Sequence, residues 1–170
     1  MTRNRILLGR AIEEAEGYTE LGMLEHALQA LQRRGSLVHG NAKACYLLGE
    51  ALRELGRYED ALLPLERSAD IMPDDIHVWL ALGWCYKRTG QLAKAIDALE
   101  RAVTVDPSEG VLHYNLACYW SLARNRSLAI GYLSRALEID TNFRDMISDE
   151  PDFNALRSDP EFIAIANLIV

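Results

Sequence analysis

The side chains able to do chemistry in this sequence are scattered rather than massed. His26, His39, His77 and His113 fall at no metal-ligand spacing with one another. Cys45, Cys85 and Cys118 are odd in number and form no CxxC pair, which argues against a disulfide framework and for reduced thiols in a cytoplasm. Adjacent carboxylates occur at Glu13–Glu14 and Asp74–Asp75. Such pairs serve acid–base catalysis when their surroundings push the two pKa values apart; on an exposed helix face or turn they are a solvated surface. There is no glycine-rich phosphate loop, GxSxG elbow, HExxH helix or calcium loop. The expectation is no catalytic residue, no metal and no cofactor.

Composition narrows the partners. Eighteen Lys and Arg against 25 Asp and Glu leave a net charge of −7 over 170 residues. The mix, 49% hydrophobic and 25% charged, is that of an ordinary globular domain. An acidic balance disfavours nucleic acid, whose phosphates need a basic stripe. No run approaches the roughly 18 apolar residues of a membrane span, and the first ten residues lack the apolar core of a secretion signal. A cytoplasmic protein with no nucleic-acid or membrane partner is expected.

The elements that must position these side chains are repeated. Ala27, Ala61, Ala95 and Ala129 stand 34 residues apart, as do Leu31, Leu65, Leu99 and Leu133. The same interval relates Tyr18, Leu52, Tyr86 and Trp120, the small residues Ala15, Gly49, Gly83 and Ala117, the glycines Gly22, Gly56 and Gly90, and the prolines Pro73 and Pro107. Within one interval, Trp79, Leu82, Gly83 and Tyr86 follow the i, i+3, i+4, i+7 spacing of one helix face. Gly90 then supplies a left-handed stop. Leu92, Ala95, Ile96, Leu99 and Ala102 form a second stripe, and Asp106–Pro107 ends it. Each unit reads as helix–turn–helix, with small residues where two helices approach closely. Pro64 lies inside a second helix and is expected on its exposed side.

Trp79-x2-Leu82-Gly83-x2-Tyr86, followed by Ala95-x3-Leu99, Ala102 and Pro107, resembles the tetratricopeptide repeat signature. The resemblance implies an all-α fold, a right-handed superhelical solenoid of antiparallel helix hairpins forming a single domain over residues 1–170. It divides the chain into a degenerate first repeat at 8–41, repeats at 42–75, 76–109 and 110–143, and a C-terminal capping segment at 144–170. Departures are specific. Cys45 and His113 replace tryptophan, Ser68 replaces alanine, Arg124 replaces the turn glycine, and Thr141 replaces the closing proline. In the first repeat Arg34 and Gly35 interrupt the second helix. The capping segment, two basic and six acidic residues for a net −4, reads as two short helices. Asp159 is placed to cap the second, Pro160 to open it, and Phe153, Leu156, Phe162, Ile163 and Ile165 to cover the solenoid end. The segment is similar to tails of bacterial repeat arrays. Cys85, His113 and Cys118 fall on adjacent first helices, but a zinc site would need a fourth ligand, and packing is the preferred role for each.

First helices of such arrays line a concave groove that takes peptides and proteins. The groove slots here hold Lys43, Tyr46, Glu50, Arg53, His77, Trp84, Lys87, Arg88, Tyr114 and Asn115. Trp84 stands out because Trp79 already fills the structural tryptophan slot. Trp84, Lys87 and Arg88 share a helix side by spacing, with Tyr114 and Asn115 expected from the next first helix. Together they would suit an apolar anchor flanked by acidic groups. The slots of the family's carboxylate clamp lack its lysines, and Asn115 is the wrong type for its place, which argues against that mode. The expected function is a non-enzymatic adaptor or scaffold that binds a protein or peptide. The alternatives are a secretion-type chaperone holding a client and a regulatory subunit of an enzyme complex.

Overall fold

A computed structural model describes residues 2–167, and every regular element among them is helical. The chain separates into two compact units, Met1–Gln91 and Leu92–Val170. The division falls in the turn of the third 34-residue interval.

The first unit runs α1 (Thr2–Glu20), α2 (Leu24–Gln32), a 3-10 helix η1 (Gly35–Gly40), α3 (Ala42–Glu54), α4 (Tyr58–Ile71) and α5 (Ile76–Arg88). α1 packs on α2 and α3, and α3 packs on α4 and α5. The first helices α1, α3 and α5 therefore form one layer, and α2 and α4 back it. Ala27, Leu31, Ala61 and Leu65 are no more than 1% exposed between the layers. Full burial of each such leucine stabilises the fold by about 1.5–3 kcal/mol. Gly49 has to be small: a Cβ there would stand 2.5 Å from Leu65 Cγ. Asn41 and Asp75 cap α3 and α5 by accepting from Ala44 N at 2.9 Å and His77 N at 3.0 Å. In the degenerate repeat α2 stops after 9 residues and the chain turns into η1. Pro64 is buried, not exposed: its position in α4 faces the packed side, where a proline ring serves as an apolar filler.

The second unit runs α6 (Leu92–Val105), α7 (Gly110–Leu122), α8 (Arg126–Ile139), η2 (Thr141–Phe143), α9 (Arg144–Ile147), η3 (Pro151–Leu156) and α10 (Pro160–Asn167). α7 is held by α6, α8 and η3, and α10 packs on α8. Arg124 keeps the turn that glycine makes elsewhere. Its φ is 62°, beside 70°, 75° and 77° at Gly22, Gly56 and Gly90. The bonds that close the helix are kept too, with Arg124 N donating to Ser121 O at 3.0 Å and Asn125 N to Trp120 O at 2.9 Å. Asp159 Oδ1 accepts from the N–H groups of Glu161 and Phe162 at 3.0 and 3.1 Å, capping α10. Phe153, Leu156 and Phe162 are buried, Ile165 is half-buried and Ile163 is 42% exposed. Ile163 thus departs from its expected covering role, because it lies on the outer side of α10. Residues 168–170 of the expected capping segment lie outside the described residues.

The irregular residues have structural work. Trp79 Nε1 donates to Pro73 O at 2.7 Å. One repeat later His113 Nε2 meets Pro107 O at 2.9 Å, and a carbonyl partner requires the hydrogen on that nitrogen. Cys45 Sγ, in the same slot, lies 3.2 Å from Val38 O. All three side chains tie a first helix to the connection before it. Buried Ser68 donates its hydroxyl to Ala42 O at 2.9 Å, joining α4 to the start of α3, which alanine would not do.

Candidate functional site

The first-helix layer of residues 1–91 presents an aromatic flanked by charge. Trp84, on α5, is 39% exposed. Lys87 Nζ sits 5.7 Å from its ring centroid, a cation–π distance. Arg88, one residue on, turns to α4 instead, its guanidinium 5.1 Å from the Tyr58 ring. The spacing that put three side chains on one side therefore brings two together, while the third, still exposed, lies over the ring of Tyr58. His77 is exposed at the start of the same helix.

α3 contributes the other half of this layer. Arg53 forks onto Glu50 through two bonds of 2.8 and 2.9 Å, and reaches Glu54 at 3.6 Å. Lys43 pairs with Glu16 of α1 at 2.7 Å. Tyr46 is half-buried; burial, then the charge of Glu50, pushes its phenol up to about 12, so it is a neutral hydroxyl at physiological pH. The cations here are already engaged with carboxylates or rings, so an acidic ligand would have to exchange partners with them.

Tyr114 and Asn115 belong to the second unit, and Tyr114 is a correction. It is 3% exposed, stacked on Phe143 at 5.2 Å between centroids and met edge-on by Phe153 at 5.8 Å. It lines no open groove, because η3 lies on α7 there. Asn115 is half-buried and donates to Val111 O of its own helix at 2.9 Å.

Nucleophilic chemistry finds no support among the thiols. The three cysteines are buried and form no disulfide, and burial pushes the Cys85 thiol up to about 11, well away from the thiolate that reacts. The metal-capable group among the described residues comprises Cys118 on α7 with Glu150 and Asp152 at the entry to η3, their donor atoms all within 4.8 Å of one another. Sequence spacing missed it, since more than 30 residues separate the thiol from the carboxylates.

Family models described as tetratricopeptide repeat match residues 25–76 and 52–117. The chain belongs to the tetratricopeptide repeat family. Repeats of this family are protein-interaction modules and are in general non-catalytic. No curated protein matches the sequence. Among solved structures, a crystal structure of MamA aligns with a TM-score of 0.75 at 22% identity, covering 81% of each chain. MamA residues 41 to the end from Desulfovibrio magneticus RS-1 gives 0.73 at 24% identity, covering 78% of this chain and 75% of that one. YrrB, described as a tetratricopeptide repeat protein with an unusual peptide-binding site, gives 0.74 at 21% identity, covering 79% and 70%. At these identities the likeness establishes the all-α helical-repeat fold. No helix among the described residues is long and apolar enough to cross a membrane.

Proposed function

We propose that this protein is a non-enzymatic adaptor that binds a peptide or protein segment on the first-helix layer of residues 1–91, within a repeat frame of 8–41, 42–75, 76–109 and 110–143. The observation that carries the reading is Trp84. A large aromatic 39% exposed on a first helix, with Lys87 over its ring, is the residue type that dominates binding hot spots. Tyr46 and His77 extend the surface along α3 and α5. The ligand chemistry that fits is an apolar side chain seated on Trp84 with an acidic group reaching Lys87. Three buried cysteines outside any disulfide suit the reducing cytoplasm of a bacterium. The peptide-binding site in the description of YrrB is a precedent for this use of the fold.

Photo-crosslinking in the native cell tests the proposal. A benzophenone amino acid at position 84 should capture a discrete protein partner, and the same probe at Leu63, 56% exposed on α4, should not. Capture at Leu63 alone, or no adduct at position 84, overturns the assignment.

A further inference from the structure

Buried like charges are costly unless protons or a cation compensate them. The second unit gathers three potential anions in one place. Cys118 is 2% exposed and Asp152 9% exposed, Glu150 is half-buried, and the donor atoms of all three lie within 4.8 Å of one another. Arg157 of the same segment donates to Asn154 and to the carbonyl oxygens of Ile147, Ser148 and Glu150, and so holds the turn that carries the two carboxylates.

A second, independent observation points at the same spot. The Tyr114 hydroxyl is buried without a hydrogen-bond partner among the described residues. Tyr114 precedes Cys118 by one helical turn. Its ring meets Phe153, the residue after Asp152, edge-on at 5.8 Å between centroids, which sets Tyr114 beside the segment that carries both carboxylates. Such an orphaned hydroxyl has lost its water without gaining a partner, and a bound ion with its attached water would give it an acceptor.

We propose that Cys118, Glu150 and Asp152 form a zinc-class divalent metal site, with the Tyr114 hydroxyl beside its fourth position. The donor set selects the metal. Sulfur argues against magnesium and calcium, which take oxygen. Two carboxylates argue against copper(I), which prefers all-soft ligands. Zinc accepts both, at bond lengths of about 2.0–2.3 Å, so tetrahedral ligands stand roughly 3.3–3.8 Å apart. From separations of up to 4.8 Å, the three donors need to close by up to about 1.5 Å to reach that spacing, a movement within side-chain rotation. Binding would displace the thiol proton and tie η3 to α7. The site does not depend on the peptide-binding reading, which concerns residues 1–91.

The test uses the whole chain, stripped with chelator and titrated with zinc by calorimetry, and with cobalt(II) as a spectroscopic probe. One equivalent of zinc should bind, cobalt should show a thiolate-to-metal charge-transfer band, and zinc should raise the melting temperature. Cys118→Ser should abolish the band. Glu150→Gln keeps the oxygen that accepts from Asp152 N at 3.0 Å, so it preserves the local turn while removing a charged ligand. It should weaken zinc by more than the roughly 10–100-fold that loss of an outer partner costs. Cys45→Ala should bind like the parent chain. No uptake by the parent chain, cobalt uptake without the thiolate band, or affinity unchanged in Glu150→Gln would each overturn the site, whether or not Cys118→Ser folds.

Discussion

Helices α5 and α7 carry the same repeat positions 34 residues apart and meet opposite fates. Val78 and Leu112 are both fully buried, as are Leu82 and Leu116 to within 1%. Trp79 and His113 both reach the carbonyl of a proline six residues back. The other side of the two helices diverges. Trp84 is 39% exposed, whereas its counterpart Cys118 is 2% exposed, and half-buried Leu80 corresponds to Tyr114 at 3%. α7 is apolar nearly all round, the pattern of a fully buried helix, and η3 lies where another first helix would lie in the first unit. Repeat register thus sets which residues build a hairpin. Whether the remaining face binds a partner depends on the chain that covers it.

The sharpest way to break this comparison is to remove the cover. Phe153 is fully buried against Tyr114 and Phe162, so Phe153→Ala should cost about 3–5 kcal/mol in denaturant unfolding. Trp84→Ala should cost under about 1 kcal/mol while losing, in affinity capture, the partner that the position-84 crosslink identifies. Equal stability losses would mean that both faces are core. Next in size is the hairpin contact itself. Ala95 is fully buried and Ala93 is exposed on the same helix. Overpacking by Ala95→Leu should cost roughly 1–3 kcal/mol, with Ala93→Leu nearly silent in the same melts.

A smaller effect of opposite sign comes from the turns. Arg124 holds a left-handed conformation that costs an L-residue about 1–2 kcal/mol. Arg124→Gly should therefore raise the unfolding midpoint, by roughly 1 kcal/mol after glycine's own entropy cost, and Gly90→Arg should lower it. The smallest effect is acid-dependent. Arg126 bonds to Asp159 and, at 2.8 Å, to Glu161. The Arg126 bond, ahead of the backbone bonds of the helix cap, holds the Asp159 carboxyl down to about 2, from an ordinary 3.8. A depressed folded pKa means the charged form favours folding, so the contribution is complete above about 3.8 and is lost as pH falls toward about 2. The pair is exposed and salt weakens it. Asparagine retains the helix cap, so urea midpoints of Asp159→Asn and the parent chain should differ slightly at pH 5 and converge near pH 2.

What the sequence determined by itself was everything that repeats. The 34-residue spacing of Ala61, Leu65 and their equivalents is read locally, because helix period and turn chemistry act over a few residues. The left-handed turns, the Asp159 cap and the packing role of His113 and Cys45 follow from the same short-range rules. The tertiary structure alone decided what covers what. No spacing rule connects Phe153 to Tyr114, or Cys118 to Glu150 and Asp152, because those pairs meet through a segment outside the repeat that folds back on α7. The direction Arg88 takes was decided in the same way: residues at i+3 and i+4 share a helix side, but the ring of Tyr58 on a neighbouring helix draws this exposed side chain away from Trp84. Local periodicity specifies a hairpin through contacts near in sequence. An open face and a buried one differ by contacts distant in sequence, and those exist only in the folded chain.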